Sequence, residues 1–258
     1  MNADRPAASA VRGRLPNDLP TDLAGSDWLT DARAEVARDP DSITRAFAFA
    51  ARRVGRAPRR PDTDPAGVVH GTVDDAARAA LVVSLADAVG TGPDCAERLV
   101  ALYRQGDAAE RRGVLRGLDA LAERGSLGGP AADADAGSDA GTGSDASALV
   151  AAGLELAADA LRTNDPSLVA AAVGPFGARH LDQHTWRHAI LKLVFQEVSL
   201  EAASGLADRA DDELDRMARD FAAERQAAGR PVPTDLGLLT NGPLANTRLG
   251  TTPSTPKE

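Results

Sequence analysis

The sequence predicts an all-α protein, and three observations support this fold class. Hydrophobic residues make up 43% of the 258 residues but aromatic residues only 3%, so the core must consist mainly of alanine, leucine and valine. Alanine is the strongest helix former, and its small side chain lets helices approach closely. Apolar residues recur at spacings of three and four, whereas β-branched runs with a period of two are absent from the sequence. We expect roughly eight or nine helices, arranged as a helical bundle or as an irregular HEAT-like α-solenoid.

The first two helices are delimited by proline, aspartate and glycine. Helix-forming sequence runs over about 28–38 and stops at Asp39-Pro40, because the residue before a proline avoids the α region. A second helix follows, with Asp41 as the expected N-cap and Gly55 as a left-handed end. Residues 57–71 contain several prolines and aspartates and are predicted to form a loop.

Three further helices, separated by glycines, are predicted between residues 72 and 125. Thr72 and Asp75 have the spacing of a capping box at the start of the first. Asp107 and Glu110 form an acidic variant of that box at the start of the last. Connections this short favour tight antiparallel helix pairs.

Composition divides the chain into a helical domain and three segments without a predicted core. Residues 1–25 are expected to form a disordered N-terminal arm, and residues 234–258 a disordered C-terminal tail. The helical domain spans 26–233 and is interrupted at 126–147 by a run of glycine, alanine, serine and aspartate. This run buries little apolar area, so we expect a flexible acidic loop.

The helices resume at about residue 148, and the most apolar one follows Asp182, its expected N-cap. Trp186 and Ile190 lie on one side of that helix and Phe195 on the other, given 100° of rotation per residue. A helix that is apolar on both sides is expected to be central in its bundle. A last long helix is predicted over about 212–228.

Charge and cysteine content exclude several classes of protein. A net charge of −9 argues against binding to nucleic acid, which requires basic charge to displace counterions from phosphates. The single cysteine, Cys95, cannot form an internal disulfide, which favours a reducing compartment. The first residues lack the apolar region of a secretory signal, and no apolar run approaches the roughly 20 residues that span a bilayer. We expect a cytoplasmic protein that does not span a membrane.

Six stretches of the sequence, between about residues 28 and 233, resemble the EboA family in order and approximate spacing. They read AARRVGRAP, GDAAERRGVLRGL, ALRTNDP, FGARHLD, WRHAILKLVF and, most specifically, GLADRADDELDRMARDFAAERQAAGRPV. The resemblance implies a member of a bacterial gene cluster that also encodes a UbiA-like prenyltransferase, a sugar-phosphate cyclase and a TatD-like hydrolase. Such clusters are linked to making or exporting secondary-metabolite precursors. The resemblance carries over no catalytic residue, and Gly174-Pro175-Phe176 departs from the family's Asn-Pro-Tyr-like turn.

Two groups of side chains have the spacing of a binding site but also have a simpler explanation. His184 and His188 lie four residues apart on one helix face, within reach of one metal, with His180 or Asp182 nearby. The alternative is that these histidines are surface residues, and we predict no metal and no cofactor. An arginine group could bind phosphate or carboxylate, or could simply complement a helix C-terminus. It comprises Arg52, Arg53, Arg56, Arg59 and Arg60.

Lys192 is one of very few lysines in this arginine-rich chain, and it lies within the apolar run AILKLVF. A buried ammonium requires compensation, so we predict that Glu224 pairs with it and that Arg162 lies nearby, at the floor of any ligand site. A paired, structural lysine is the alternative to a ligand contact. The candidate ligand-binding residues are Arg162, Asn164, His180, Lys192, Glu224, Arg225 and Arg56.

The resemblance and the lack of a complete catalytic motif together favour a non-enzymatic accessory or scaffold protein. Its expected partners are other proteins of the cluster, the prenyltransferase and the sugar-phosphate cyclase among them, or a small anionic metabolite. The alternative is an enzyme acting on a sugar-phosphate- or prenyl-derived metabolite, with Lys192, His180 and Arg162 as its polar centre.

Overall fold

Helices account for most of the chain, as predicted. The computed structural model describes residues 26–128 and 140–240, and no strand occurs within these two ranges. The α-helices are α1 (Asp27–Arg38), α2 (Ile43–Val54), α3 (Val73–Val89), α4 (Pro93–Gln105), α5 (Ala108–Glu123), α6 (Ala140–Arg162), α7 (Pro166–Ala172), α8 (Pro175–His180), α9 (Gln183–Phe195), α10 (Leu206–Arg209), α11 (Asp212–Ala227) and α12 (Leu236–Thr240). Short 3-10 turns lie at Pro40–Ser42 and Leu200–Ala202. The all-α prediction is confirmed, with more helices than expected because several are very short.

Both predicted capping boxes are present, at Thr72 with Asp75 and at Asp107 with Glu110. The predicted cap of α2 is wrong. Asp41 lies inside the preceding 3-10 turn, whose own cap is Asp39, and its carboxylate pairs with Arg98 of α4 instead. Proline at position 40 starts a turn of its own, which moves the N-cap of the helix one residue along the chain, from Asp41 to Ser42.

Among the described residues, α3 and α5 contain the largest numbers of buried residues of any helix, and they pack closely against each other through glycine. A Cβ at Gly113 would lie 2.4 Å from Arg78 Cδ, and one at Gly117 would lie 2.6 Å from Val82 Cβ. The sequence instead predicted a central position for α9, and this is only half right. Trp186 is fully buried, but Phe195 is 63% exposed. The central helices are those that meet through small side chains and not the helix with the most apolar sequence, because only small side chains let two helices approach this closely.

Two predicted segment boundaries are wrong where the structure describes them. Helix α6 begins at Ala140, inside the predicted loop, and its first turns contain glycine and serine, which are weak helix formers. Leu127, also in that loop, is buried. Helix α12 lies inside the predicted tail and buries Leu236 and Leu239. The predicted arm (1–25), residues 129–139 and residues 241–258 lie outside the described residues. Each described helix is too short or too polar to cross a lipid bilayer.

Candidate functional site

Two buried ion pairs lie at the interface between α3 and α5, one within α3 and one that joins the two helices. Arg78 pairs with Asp74 at 2.5 Å, and both side chains are almost completely buried. Arg112 pairs with Asp75 at 2.7 Å. Each guanidinium therefore has a carboxylate to compensate its burial. These two ion pairs lie in the core. Arg116, the next arginine along α5, has no carboxylate this close among the described residues.

The loop between α2 and α3 is held rigid by one buried carboxylate. Asp64 accepts hydrogen bonds from the backbone N–H groups of Val68, Val69 and His70, at 2.9, 2.9 and 2.7 Å. A buried carboxylate is stabilised by such donors, and they fix the backbone around it. Val69 and His70 thereby face α5 and the start of α8.

A cleft of about 310 Å³ lies where this loop, α5, the start of α8 and the turn after α9 meet. We call it the Arg116 cleft. Its lining is mostly polar and includes both signs of charge. The lining residues are Arg60, Val69, His70, Arg116, Gly174, Pro175, Glu201, Ala202 and Ser204.

Arg116 forms the inner wall of the cleft and is only 6% exposed. Its Nη2 donates to the carbonyl oxygen of Val69 at 2.8 Å, and its Nη1 makes a long contact of 3.5 Å with Asp119 Oδ2. Among the described residues its Nε has no hydrogen-bond partner. A guanidinium carries five N–H donors in a rigid fork. Arg116 is thus a buried cation with unused donor capacity that lines a cavity.

Asp119 lies behind Arg116 and is 1% exposed. Its Oδ1 accepts the backbone N–H of Phe176 at 3.0 Å. Burial raises the pKa of this carboxyl from its ordinary value of 3.8 to about 7, because Arg116 and the Phe176 N–H offset the loss of water only in part. Near neutral pH, Asp119 is therefore divided between its charged and neutral forms.

His70 completes the polar lining with Arg60 and Glu201. Its Nε2 lies 3.5 Å from Arg60 Nη1 and 3.4 Å from Glu201 Oε2. Burial, followed by the charge of Arg60, lowers the pKa of His70 below its ordinary value of 6.5. The imidazole is then neutral at pH 7. Two guanidiniums, a neutral imidazole and the nearby Ser204 suit a ligand with anionic oxygens.

A larger cavity, of about 450 Å³, lies between α4, the start of α5 and the end of α6. Tyr103 donates its hydroxyl to Asp159 Oδ2 there at 3.1 Å, and burial raises the pKa of this phenol. Arg162 also lines this cavity, but 71% of its side chain is exposed, and it pairs with Asp159 at 3.2 Å. Exposed pairs of this kind hold a ligand weakly, because water competes for both partners. The Arg116 cleft is therefore the better candidate.

Lys192 does not pair with Glu224. Its Nζ donates to the carbonyl oxygens of Leu161 and Thr163, both at 2.6 Å, and Glu224 is exposed to solvent. The helix C-terminus of α6 supplies unpaired carbonyls and a negative dipole end, and these compensate the ammonium without an acid. Asn164 is exposed just beyond the same helix end.

No contact is shown between the remaining predicted site residues in the described part of the chain. His180 packs on Phe176 with a ring distance of 4.9 Å, and burial lowers its pKa. Arg225 donates to the carbonyl oxygen of Pro231 at 2.6 Å, and Arg56 is exposed. The structure places none of the seven predicted residues in the Arg116 cleft. Of the arginine group 52–60, only Arg60 lines it.

The most specific sequence motif, which includes Arg209 and Asp211, has a structural role. The Arg209 guanidinium donates to the carbonyl oxygens of Gly177, Ala178 and Leu181 at 3.3, 2.7 and 2.8 Å. It also lies 4.8 Å from the centre of the Trp186 ring. Asp211 caps α11 through Leu214 N. Arg209 thus joins α10 to α8 and α9.

Sequence reasoning missed Arg116, Asp119 and His70. A signal was present in the run VLRGLDALA, where Arg116 and Asp119 interrupt an otherwise apolar segment three residues apart. Charged residues that face a core at helical spacing are functional candidates. His70 gave no comparable signal, because only the fold of the loop brings it to α5.

One comparison with known proteins finds a match. A family model described as "Metabolite traffic protein EboA" matches residues 153–240. This range contains α7 to α12 and the Gly174, Pro175, Glu201, Ala202 and Ser204 side of the cleft. No curated protein and no solved structure matches the chain.

Proposed function

We propose, on the premise that this chain belongs to the EboA family through residues 153–240, that it serves metabolite traffic by binding a small anionic metabolite in the Arg116 cleft. The family description names traffic, which requires a protein to hold a metabolite rather than to transform it. The cleft offers a place for the anionic part of such a molecule.

One observation carries the proposal, namely the burial of Arg116 without full compensation. Arg78 and Arg112, on the same interface, each bind a carboxylate at 2.7 Å or less. Arg116 donates to the Val69 carbonyl at 2.8 Å, but the carboxylate that it contacts, that of Asp119, lies at 3.5 Å. A buried charge that is left partly unpaired lowers stability, so its presence beside a cavity points to a ligand. Phosphate and carboxylate are the groups whose geometry matches a guanidinium.

The wider role of the chain follows from the same premise. We infer an accessory protein that carries or presents the metabolite to enzymes encoded with it, for which the prenyltransferase and the sugar-phosphate cyclase are the expected partners. The enzyme alternative relied on Lys192, His180 and Arg162. Arg162 lines the larger cavity, whereas His180 and Lys192 line neither that cavity nor the cleft.

The proposal is tested by titrating the full chain with inorganic phosphate, inorganic diphosphate and succinate, with binding followed by calorimetry and by ligand NMR. Arg116→Gln should weaken binding by about 10- to 100-fold, since a charge-assisted hydrogen bond contributes about 1.5–3 kcal/mol. Arg124→Gln is the matched control. Arg124 lies one residue after the same helix and pairs with Asp87 at the surface.

Equal affinity in the parent protein and in Arg116→Gln would refute the cleft as the binding site. Metabolite analysis of the chain captured from its host then identifies the natural ligand. The captured small molecules should carry phosphate or carboxylate groups and should be lost from the Arg116→Gln variant.

A further inference from the structure

We propose that the Arg116 cleft binds an anion and a proton together, and that Asp119 is the group that takes the proton. This mode of binding rests on the proposed function, because it concerns the same cleft. It adds a second ligand, the proton, and makes the affinity for the metabolite depend on pH.

The charged side chains that line the cleft, taken together with Asp119 behind them, balance when both carboxylates are ionised. Arg60 and Arg116 contribute two positive charges, while Glu201 in the lining and Asp119 behind it contribute two negative charges. An entering anion then meets no net positive charge. Protonation of Asp119 removes one of these negative charges, and a charge at this buried position interacts more strongly with an anion than the same charge would in water.

The geometry of Asp119 favours the proton. Its carboxylate has two described contacts, the Phe176 N–H at 3.0 Å and Arg116 Nη1 at 3.5 Å. An ionised carboxylate can accept about four hydrogen bonds. An anion placed against Arg116 competes for the guanidinium and adds negative charge near Asp119. Both effects favour the neutral acid. Because burial already holds the pKa of Asp119 at about 7, the proton is available near neutral pH.

Other groups near Asp119 do not replace it as the proton acceptor. On its own helix, Glu123 acts in the same direction by raising the pKa of Asp119. From α8, Arg179 is engaged with the carbonyl oxygen of Ala122. His70 has a lowered pKa and is neutral above pH 7. The charged groups of α3 that face α5 are paired, namely Asp74 with Arg78 and Asp75 with Arg112.

The test is calorimetric titration of the full chain with sodium sulfate, an oxyanion that does not itself titrate near neutral pH. Measurements at about pH 7.5 in buffers of different ionisation heat count the protons taken up with each sulfate. We expect uptake of up to about one proton and an affinity that falls by up to about tenfold per pH unit above the pKa of free Asp119. The backbone amide signals of Val69 and Phe176 should shift on binding, which places the sulfate in the cleft.

Two variants separate Asp119 from other carboxylates. Asp119→Asn should bind sulfate with an affinity that no longer depends on pH between about 7 and 9, and without proton uptake. Asp87→Asn, an exposed carboxylate paired with Arg124, should behave like the parent. If Asp119→Asn does not fold, the proton uptake of the parent protein still tests the proposal. It is obtained from the dependence of the binding heat on the buffer.

Sulfate binding in the cleft without proton uptake would overturn the proton site and leave the proposed function standing. A pH dependence that persists in Asp119→Asn would do the same. If sulfate, phosphate, diphosphate and succinate all fail to bind at any pH from about 6 to 9, the proposed function itself is wrong, and proton-linked binding falls with it.

Discussion

Gly174 lies directly against Asp119, and a Cβ at position 174 would stand 2.3 Å from Asp119 Oδ2. The turn before α8 therefore needs glycine for space, not for an unusual backbone angle, since its φ is −67°. This contact brings the Phe176 N–H to the carboxylate and closes the cleft around Arg116.

Gly174→Ala should destabilise the protein by about 1–3 kcal/mol, because a methyl group placed in packed surroundings forces side chains or backbone to shift. Urea unfolding measures the change. Gly237→Ala is the control. A Cβ there would contact nothing within 4 Å, so that variant should be as stable as the parent or slightly more stable. Equal stability of the two variants would show that Asp119 moves aside without cost.

Lys192→Met should destabilise the protein by about 1–3 kcal/mol, since two carbonyl groups at the end of α6 lose a charged donor. Glu224→Gln should have almost no effect, and the double variant should show no coupling between the two sites. Urea unfolding of the four proteins gives the coupling energy. A coupling of 1 kcal/mol or more, in rough terms, would revive the ion pair that the sequence predicted.

Arg209→Lys should lower stability by about 2 kcal/mol, although it keeps the charge. A lysine ammonium lacks the planar fork with which Arg209 donates to three carbonyls while it lies over the Trp186 ring. Thermal unfolding, followed by Trp fluorescence, measures the loss. Arg219→Lys is the matched control, because Arg219 forms only an exposed pair with Asp215 and should tolerate the change. Similar losses in both variants would argue against the special role of Arg209.

Asp119 should make the protein less stable as the pH rises from about 4 to about 7. Its folded-state pKa of about 7 lies above the ordinary 3.8, so between these values the folded state holds a proton that the unfolded state has released. Stability from this group is complete below the unfolded pKa and is lost as the pH rises through the folded pKa. Asp119→Asn should therefore gain stability relative to the parent as pH increases, by up to about 1.4 kcal/mol per pH unit. A constant difference from pH 5 to pH 8, in rough terms, would contradict the raised pKa.

Local sequence signals predicted much of the helical architecture but little of the cleft. The capping boxes at Thr72 and Asp107, and the cap at Asp182, could be predicted because each depends on residues three positions apart. Lys192 was correctly expected to need compensation, but its partners are backbone carbonyls, which no side-chain pattern reveals. His70 and Arg116 are 46 positions apart (116 − 70). They meet only because the Asp64 loop folds onto α5, and that placement depends on tertiary packing.

The close contact of α3 with α5 through Gly113 and Gly117 also sets how the cleft can respond to a ligand. Arg116 lies between these two glycines, so its backbone belongs to the most tightly packed part of the protein. Amide hydrogens in α3 and α5 should consequently exchange with solvent among the slowest, because they are released only by global opening. The guanidinium then loses little conformational entropy when an anion arrives, since its position is fixed beforehand. The opposite wall of the cleft, where the Arg60 and Glu201 side chains are exposed, therefore has to adjust to ligands of different size.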